Sequence, residues 1–291
     1  MTVRAVSAAP SLPRLFVQAA LTQRGRGGDL PGYALRRSGV EVDRDHLLSY
    51  QRICRFNGGD VLPHSYPHLL GFPLQVQLMA DRAFPLPLPG LVHLENQITA
   101  QRRLLADDVL DLTVSAEHLR AHPKGTLVDL VTAVEVDGQR VWEGRSTYLR
   151  RGRGDANAAT PSPAPPMPRG QAAGVVRLPE GLGRAYAAVS GDVNPIHLHP
   201  LSARAMGFPR AIAHGMWTYA RALSTLGPAT SGAGSSHVWF QKPVLLPSTV
   251  EVVVGSATSP REPTVVGLRS AKEADRCHLV LTHSAGSSSG A

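Results

Sequence analysis

The chain has 291 residues, 43% of them hydrophobic and 18% charged, which is typical of a globular protein. Its net charge of +8 comes from scattered arginines without a nucleic-acid-binding motif, so we expect no nucleic-acid partner. Two cysteines, Cys54 and Cys277, exclude a disulfide framework, and no apolar run approaches the roughly 18 to 20 residues of a membrane span.

The same features bear on location and on substrate charge. No apolar segment near the N-terminus is typical of a secretory signal, and cysteine use is low, so a reducing cytoplasm is the expected compartment. The excess of arginine is suited to an anionic substrate or carrier that bears phosphate groups.

The first 150 residues begin irregularly and end in a clear β-hairpin. Residues 1–35 are rich in Gly, Pro and Arg and show little periodicity. Residues 127–136 and 139–149 have the composition of strands, and Asp137-Gly138 between them is a typical two-residue hairpin turn. These patterns predict an antiparallel sheet in this half.

A proline-rich segment divides the chain into halves of similar length. Residues 151–174 contain the run Thr160-Pro-Ser-Pro-Ala-Pro-Pro-Met-Pro168. Proline lacks a backbone N–H and fixes φ, so this run cannot join a sheet or continue a helix. We predict a semi-rigid linker between two domains, residues 1–150 and residues 175–291.

Short helices are predicted at the start of the second domain. Pro179 and Pro200 are placed to open helices that end at Gly191 and Gly207. A longer helix over residues 213–226 is apolar on most sides, which is typical of a buried helix.

Strand-like sequence follows this helix. The strands are predicted over residues 249–254, 264–268 and 278–282. A buried helix followed by strands indicates a helix wrapped in an antiparallel sheet. The small and polar residues 284–291 are expected to fray.

An acid, an amide and an imidazole share one short turn of the second domain. Asp192, Asn194 and His197 lie around Pro195, which fixes its own φ and favours an extended Asn194. A carboxylate beside an imidazole can exchange protons near neutral pH. We predict Asp192 and His197 as the catalytic pair, with Asn194 orienting a water or a substrate carbonyl.

Gly215 follows His214 at the start of the predicted buried helix. Because N–H groups at a helix N-terminus are unpaired and carry positive potential, Gly215 is a candidate oxyanion-hole donor. His214 is predicted to fix the loop by a hydrogen bond. The alternative is a metal site formed by Asp192, His197, His199 and His214, although the spacing of these histidines is not that of a helical metal motif.

The two halves resemble each other at an offset of 136 residues. Tyr50 precedes Gly71-Phe72-Pro73 by the same interval as Tyr186 precedes Gly207-Phe208-Pro209, and residues 92–96 resemble residues 236–240. A common ancestral unit would explain this pattern.

The offset also compares the candidate site with the first half. It places Phe56 opposite Asp192 and Val61 opposite His197. It also places Gly58 opposite Asn194 and Met79 opposite Gly215. We predict that the first half keeps the fold, lacks the chemistry, and uses Phe56 and Val61 for packing or for an apolar substrate.

Residues 186–197, together with Ala213-His-Gly-Met216, resemble the motif of the MaoC-type (hydratase-2) family of (R)-specific enoyl-thioester hydratases. The similarity extends through residues 201–208, 240–244 and 124–130. Over its length the chain resembles the fused double-hot-dog 3-hydroxyacyl-thioester dehydratases of mycobacteria and related actinobacteria. This resemblance implies an α+β double hot-dog fold, in which two antiparallel sheets each wrap a central helix.

The resemblance also implies a reaction. It is the reversible addition of water to a trans-2-enoyl thioester of coenzyme A or acyl carrier protein, a step of fatty-acid metabolism that needs no cofactor and no metal. Asp192 and His197 would be the catalytic pair, Gly215 would supply the oxyanion-hole N–H, and Asn194 would line the site.

Three further residues complete the prediction. The acyl chain would run toward Phe56 and Val61 in the first half, and Lys242 is a candidate contact for substrate phosphates. Two rival functions stay open, a thioesterase on the same fold and an acyl-thioester binding protein without turnover. Monomer and homodimer are both compatible with the sequence.

Overall fold

The computed structural model describes residues 1–255, 259 and 262–286. The elements of the first half, in chain order, are β1 Thr2–Ala5, α1 Leu12–Leu21, β2 Tyr33–Val40, α2 Arg44–Cys54, α3 Tyr66–Ala80, β3 Leu91–Ala100, β4 Leu110–His122, β5 Gly125–Val136 and β6 Gln139–Arg151. Those of the second half are β7 Gly174–Leu178, α4 Leu182–Ser190, α5 Pro195–Leu198, α6 Pro200–Ala205, α7 Gly215–Leu223, a 3₁₀ segment Ser224–Thr230, β8 Gly234–Phe240, β9 Ser248–Val254, β10 Thr264–Ser270 and β11 Cys277–Ala285.

Each half wraps a sheet around one central helix, α3 in the first half and α7 in the second. Both helices are buried on most sides because apolar residues occupy nearly every face of them. The predicted double hot-dog architecture is confirmed. The apolar residues of both halves form one continuous core.

The two half-sheets are joined edge to edge. Within the described residues the strands form one sheet in the order β1-β2-β4-β5-β6-β3-β8-β11-β10-β9-β7. The junction is the antiparallel pair β3–β8, whose register runs from Glu95 opposite Trp239 to Ala100 opposite Gly234. Since this junction lies within one chain, the two hot-dog units bury their shared edge without a partner chain.

Local sequence signals correctly predicted the β5–β6 hairpin turn and the end of α4. Asp137 and Gly138 have φ values of 51° and 76°, the positive pair that a two-residue β5–β6 turn requires. α4 ends where Gly191 adopts a left-handed conformation, as predicted. The buried α7 stops at Leu223, and a 3₁₀ segment continues to Thr230.

Two terminal predictions differ from the structure. Residues 1–35 contain β1, α1 and the start of β2. α1 packs against α3, and its residues Leu12 and Ala19 are buried. β11 extends to Ala285, so its pairing with β8 orders residues 284 and 285. The remaining part of the predicted frayed segment, 287–291, lies outside the described residues.

The proline-rich linker lies against the outer face of the second half-sheet. Nε1 of Trp239 donates to the carbonyl oxygen of Ser162 at 3.1 Å, and Sδ of Met167 lies 3.6 Å from Sγ of Cys277. A Cβ on Gly267 would overlap Met167, so the small β10 residue makes room for the linker. None of the helices in the described ranges is long and apolar enough to cross a bilayer.

The predicted correspondence between the two halves is correct for one pair of helices, α2 and α4. α2 and α4 contain Tyr50 and Tyr186, and each ends in a left-handed residue, Arg55 (φ 65°) and Gly191 (φ 72°). The predicted correspondence of Phe56 and Asp192, the residues that follow these caps, is therefore supported by the backbone.

Beyond this pair the predicted register is wrong. Val61 forms an isolated bridge with Leu105, and its counterpart is Ile212, which bridges Leu245 in the same way. Val61 therefore does not correspond to His197.

The central helices show the same error. Met79 lies at the end of α3, whereas Gly215 begins α7. Gly71-Phe72-Pro73 lies inside α3, whereas residues 207–209 lie in the loop after α6. The physical reason is that the second half inserts α5 and α6, which carry His197, between the paired helix and the central helix.

Candidate active site

The loop between α4 and α5 holds Asp192 in a defined position. The N–H of Asn194 donates to Oδ1 of Asp192 at 3.1 Å, and Oδ1 of Asn194 accepts from the N–H of Ile196 at 3.4 Å to cap α5. Pro195 then opens the helix. One carboxylate oxygen is thus tied to the backbone, and the other, Oδ2, faces the histidines.

His197 presents one ring nitrogen to this carboxylate. Its Nδ1–H donates to the carbonyl oxygen of Ile212 at 2.8 Å, and because a carbonyl can only accept, this bond assigns the proton of the neutral ring to Nδ1. Nε2 is therefore an acceptor, and it lies 4.0 Å from Oδ2 of Asp192. The side chain is only 8% exposed.

His214 fixes the loop by a hydrogen bond, as predicted. Its Nε2–H donates to the backbone carbonyl oxygen of Asp192 at 2.9 Å. Its ring stacks on that of His197 with 3.7 Å between centroids, and Tyr186 packs against its other side at 5.0 Å. The two buried rings hold each other and the Asp192 loop in place.

Burial sets the protonation of the pair. It raises the pKa of Asp192, against the opposing effects of His197 and of the Asn194 N–H. Burial lowers the pKa of His197, against the opposing effects of Asp192 and of the Ile212 carbonyl, and lowers the pKa of His214 strongly. Both imidazoles are therefore neutral at neutral pH, and Asp192 is a stronger base than a solvated carboxylate.

The separation of Asp192 and His197 suits a shared small group. At 4.0 Å their facing atoms are too far apart for a direct hydrogen bond, and both are acceptors when Asp192 is ionised. A water or a substrate hydroxyl between them would find acceptors on both sides. The arrangement can therefore move a proton to or from carbon and oxygen atoms of one ligand.

Gly215 is the first residue of α7, so its N–H has no acceptor within the helix. A Cβ at this position would lie 3.3 Å from the ring of Phe240, which is closer than the two groups tolerate without a shift. Glycine thus lets the Phe240 ring lie close to the helix terminus without a shift.

Two residues from the first half form a wall that the sequence did not predict. Tyr148 on β6 is buried and lies close enough to Asp192 for the carboxylate to raise its pKa further, burial being the larger cause. His93 on β3 stacks on Tyr148 at 4.5 Å and packs against Phe240 at 5.0 Å. The sequence contained one signal for this wall, namely the similarity of residues 92–96 to residues 236–240. These segments lie in β3 and β8, the two strands that meet at the junction.

Phe56 and Val61, the predicted acyl-binding residues, contact other residues of the first half. The ring of Phe56 stacks on Tyr50 at 6.1 Å, and the carbonyl of Val61 accepts from Nε2 of Gln51 at 3.2 Å. These contacts are within the first half, and an acyl-binding role for both residues stays a prediction. Lys242 is exposed and lies two residues beyond Phe240 in the chain, and a phosphate-binding role for it stays a prediction.

Three of the four predicted metal ligands come together. Ligand atoms of Asp192, His197 and His214 all lie within 4.8 Å of one another. Three is also the number of protein ligands in a catalytic zinc site. However, the His214 nitrogen that faces the carboxylate carries the proton donated to Asp192 O. Nδ1 of His199 instead accepts from Leu201 N and caps α6. The geometry favours an acid–base pair.

The fold and the site define a double hot-dog protein in which Asp192 faces His197 beside the N-terminus of a buried helix. Residues 169–262 match the sequence model of the MaoC like domain family. The 3-hydroxyacyl-thioester dehydratase X of Mycobacterium tuberculosis is 36% identical over 230 residues, which cover 79% of this chain and 82% of that protein. The chain belongs to the MaoC-like dehydratase family, as the resemblance implied.

Solved structures agree with this assignment. A crystal structure of HtdX from Mycobacterium tuberculosis superposes with a TM-score of 0.75 at 33% identity, covering 87% of this chain and 100% of that chain. A second protein of that organism, described as a double hot-dog fold, has a TM-score of 0.52 at 16% identity, covering 84% of this chain and 92% of that chain. The latter likeness supports the fold alone.

Proposed function

We propose that this protein catalyses the reversible addition of water to trans-2-enoyl thioesters, giving (R)-3-hydroxyacyl thioesters. The observation that carries the proposal is the 4.0 Å gap between Oδ2 of Asp192 and Nε2 of His197, with Nδ1–H of His197 committed to Ile212. This gap is suited to hold the water that is added or the hydroxyl that leaves.

The residues divide the work in the dehydration direction. The Asp192–His197 pair, which starts with ionised Asp192 and an unprotonated Nε2 on His197, takes the proton from C2; it then delivers this proton to the hydroxyl on C3, whose C–O bond breaks to release water. The N–H of Gly215 stabilises the enolate oxygen of the thioester, where negative charge develops. In hydration the same groups act in reverse, and the water between them is the nucleophile.

The proposal is tested with crotonyl-CoA and a longer enoyl-CoA. We expect Asp192→Asn and His197→Ala to lose about 10²–10⁴-fold in kcat/KM, the usual effect of removing one positioned acid–base group. His199→Asn is the matched control, since the exposed His199 caps α6 and asparagine is a good cap. An inert wild type, or fully active variants at both positions, would refute the assignment.

The two rivals give different signals in the same experiment. A thioesterase releases free coenzyme A, which a thiol reagent detects, whereas hydration leaves the thioester intact. A binding protein titrates with acyl-CoA in a calorimeter and yields no product. Hydrated product without thiol release is the result expected here.

Substrate charge and assembly complete the proposal. We infer that Lys242 contacts phosphates of coenzyme A or of a carrier-protein arm. Lys242→Ala should then raise KM for crotonyl-CoA but not for crotonyl-pantetheine, which lacks those phosphates.

Since α5, α7, β3 and β6 all belong to one chain, we propose one site per chain with the single chain as the catalytic unit. The cytoplasm suits the free thiols of Cys54 and Cys277.

A further inference from the structure

The part of the chain that surrounds the catalytic loop has almost no negative charge. Between residues 181 and 250, Asp192 is the only acidic residue, although the whole chain has 22 acidic residues among 291. The same stretch contains Arg184, Arg204 and Arg210. Because Asp192 belongs to the candidate site, the outer surface formed by this stretch has positive side chains and no acid of its own.

The three arginines are held by backbone groups and not by carboxylates. Nε of Arg204 donates to the carbonyl oxygen of Pro209 at 3.1 Å, and Nη1 of Arg210 donates to that of Pro247 at 3.3 Å. Among the described residues, the ion pairs between arginines and carboxylates all involve other arginines. Each guanidinium has five N–H donors, so most of them stay available to an anionic partner.

Apolar side chains are exposed between these charges. Leu201 is 65% exposed on α6, and Met206, directly after α6, is 40% exposed. Leu201 and Arg204 are three residues apart, so they are neighbours on the helix. We name Arg184, Leu201, Arg204, Met206 and Arg210 the α6 surface. Enrichment in Arg and Met with depletion of Asp and Glu is typical of a protein–protein interface.

The α6 surface adjoins the backbone that positions the catalytic imidazole. Nη1 of Arg184 donates to the carbonyl oxygen of Leu198, the residue after His197, at 3.0 Å. Arg210 lies two residues before Ile212, whose carbonyl oxygen accepts from Nδ1 of His197. A protein bound to the α6 surface would therefore lie directly beside the candidate site.

Charge and polarity together select the occupant. Coenzyme A is anionic, but its phosphates would not cover the exposed Leu201 and Met206. An acyl carrier protein is acidic, and near the attachment point of its pantetheine arm it exposes apolar as well as acidic side chains. The side chain of Asp192 is 23% exposed, against 8% for His197, so solvent reaches the pair at the loop between α4 and α5. An arm that starts on the α6 surface could enter there.

We propose that the α6 surface docks the acidic face of an acyl carrier protein, which delivers the thioester to the adjacent catalytic pair. This inference rests on the proposed function, and it names the partner of the same site. In this arrangement the arginines attract and orient the carrier, while Leu201 and Met206 pack against its apolar side chains.

The test compares two carriers of the same acyl group. Hydration of crotonyl-CoA and of a bacterial acyl carrier protein loaded with a crotonyl group is measured for wild type and for Arg204→Glu. Wild type should have the lower KM for the carrier-protein substrate, and this KM should rise about tenfold when salt is increased to about 0.3 M. Arg204→Glu should raise it about tenfold at low salt and leave KM for crotonyl-CoA within about twofold of wild type.

Arg103→Glu is the matched control. Arg103 is exposed, and its Nε also donates to a backbone carbonyl oxygen, that of Ser231 at 3.2 Å. It follows the end of β3 at Ala100, whereas His93 and Phe240 lie at the opposite end of the β3–β8 junction. The control changes the net charge by the same amount and should keep both KM values within about twofold of wild type.

Three outcomes of the kinetic comparison would overturn the proposal. An equal rise of KM for both substrates in Arg204→Glu would mean that this arginine acts on coenzyme A or on the fold. An equal effect of Arg103→Glu would mean that net charge alone matters. A carrier-protein KM that does not respond to salt would show that the arginines do not attract the carrier.

Two further measurements separate the remaining cases. If sedimentation of the protein alone shows a dimer that Arg204→Glu dissociates, a second copy covers the α6 surface and the proposal is overturned. If wild type hydrates neither substrate, the proposed function fails. Calorimetric binding of the crotonyl carrier protein then decides the docking proposal, which requires binding that Arg204→Glu weakens and Arg103→Glu does not.

Discussion

A Cβ atom on Gly183 would lie 1.9 Å from the carbonyl oxygen of His197. Gly183 is on α4 and His197 is on α5, so this glycine sets how closely the two helices approach. Arg184 strengthens the same contact, since its Nη1 donates to the carbonyl oxygen of Leu198 at 3.0 Å. The position of the catalytic imidazole therefore depends on a residue that does not touch the substrate.

Gly183→Ala should displace α5 and move His197 away from Asp192. We expect a loss of about 10²-fold in kcat/KM with crotonyl-CoA, the effect of a misplacement of about 1 Å. Gly181→Ala is the control, because a Cβ there meets only Arg184 at 3.7 Å. Circular dichroism verifies that both variants are folded. Equal activities of the two variants would show that α5 adapts without consequence.

Gly215→Ala should reduce activity because its Cβ would press on the Phe240 ring at 3.3 Å. The displaced helix terminus would point its N–H away from the thioester oxygen, which mainly lowers kcat. The double variant Gly215→Ala with Phe240→Leu relieves the contact and should recover part of the loss. If the second change adds its own loss and nothing is recovered, the contact with Phe240 is not the cause.

On the acid side, the pH at which activity is lost should lie above the ordinary pKa of a carboxyl group. Burial raises the folded-state pKa of Asp192 above 3.8, and the base is lost when the pH falls through the raised value. We expect kcat/KM for crotonyl-CoA to decline at a pH above 3.8. Samples returned from acid to neutral pH should regain full activity, which separates titration from unfolding. A limb at or below 3.8 contradicts this expectation.

Stability should fall as the solution becomes acidic. Burial lowers the folded-state pKa of His64 to about 3, of His68 to about 4 and of His93 to about 3, from 6.5. Below pH 6.5 the unfolded chain binds protons that the folded chain does not, so unfolding is favoured as pH falls toward these values. The raised pKa of Asp192 acts in the opposite direction. The lowered pKa values of His197, His214, His278 and His283 act in the same direction as those of the first three histidines.

Each histidine should then contribute a loss of about 1 kcal/mol in the free energy of unfolding per pH unit below 6.5. Urea denaturation at pH 6.5 and 5.5 measures the total, to which His64, His68 and His93 together should contribute roughly 3 kcal/mol. His68→Leu should reduce the difference by about 1 kcal/mol. His199→Asn, at an exposed position, should leave it unchanged.

Short-range signals in the sequence predicted the local parts of the fold and the catalytic pair. Asp137-Gly138 predicted the β5–β6 turn, and Gly191 the end of α4, because few residues tolerate a positive φ. Asp192 and His197 could be recognised because they share one turn, and the chemistry of that turn does not depend on distant strands. The resemblance extended this local prediction to the correct family and fold.

Only the tertiary structure decided what surrounds the pair. Tyr148 comes close to Asp192, and His93 stacks on Tyr148, because β3 pairs with both β6 and β8; such long-range pairing leaves no periodic signal in the sequence. The insertion of α5 and α6 made Val61 the counterpart of Ile212, which an offset taken from one helix pair could not show. The sequence by itself determined the family and the candidate acid–base pair, because these are local patterns. Packing across the junction determined the walls of the site.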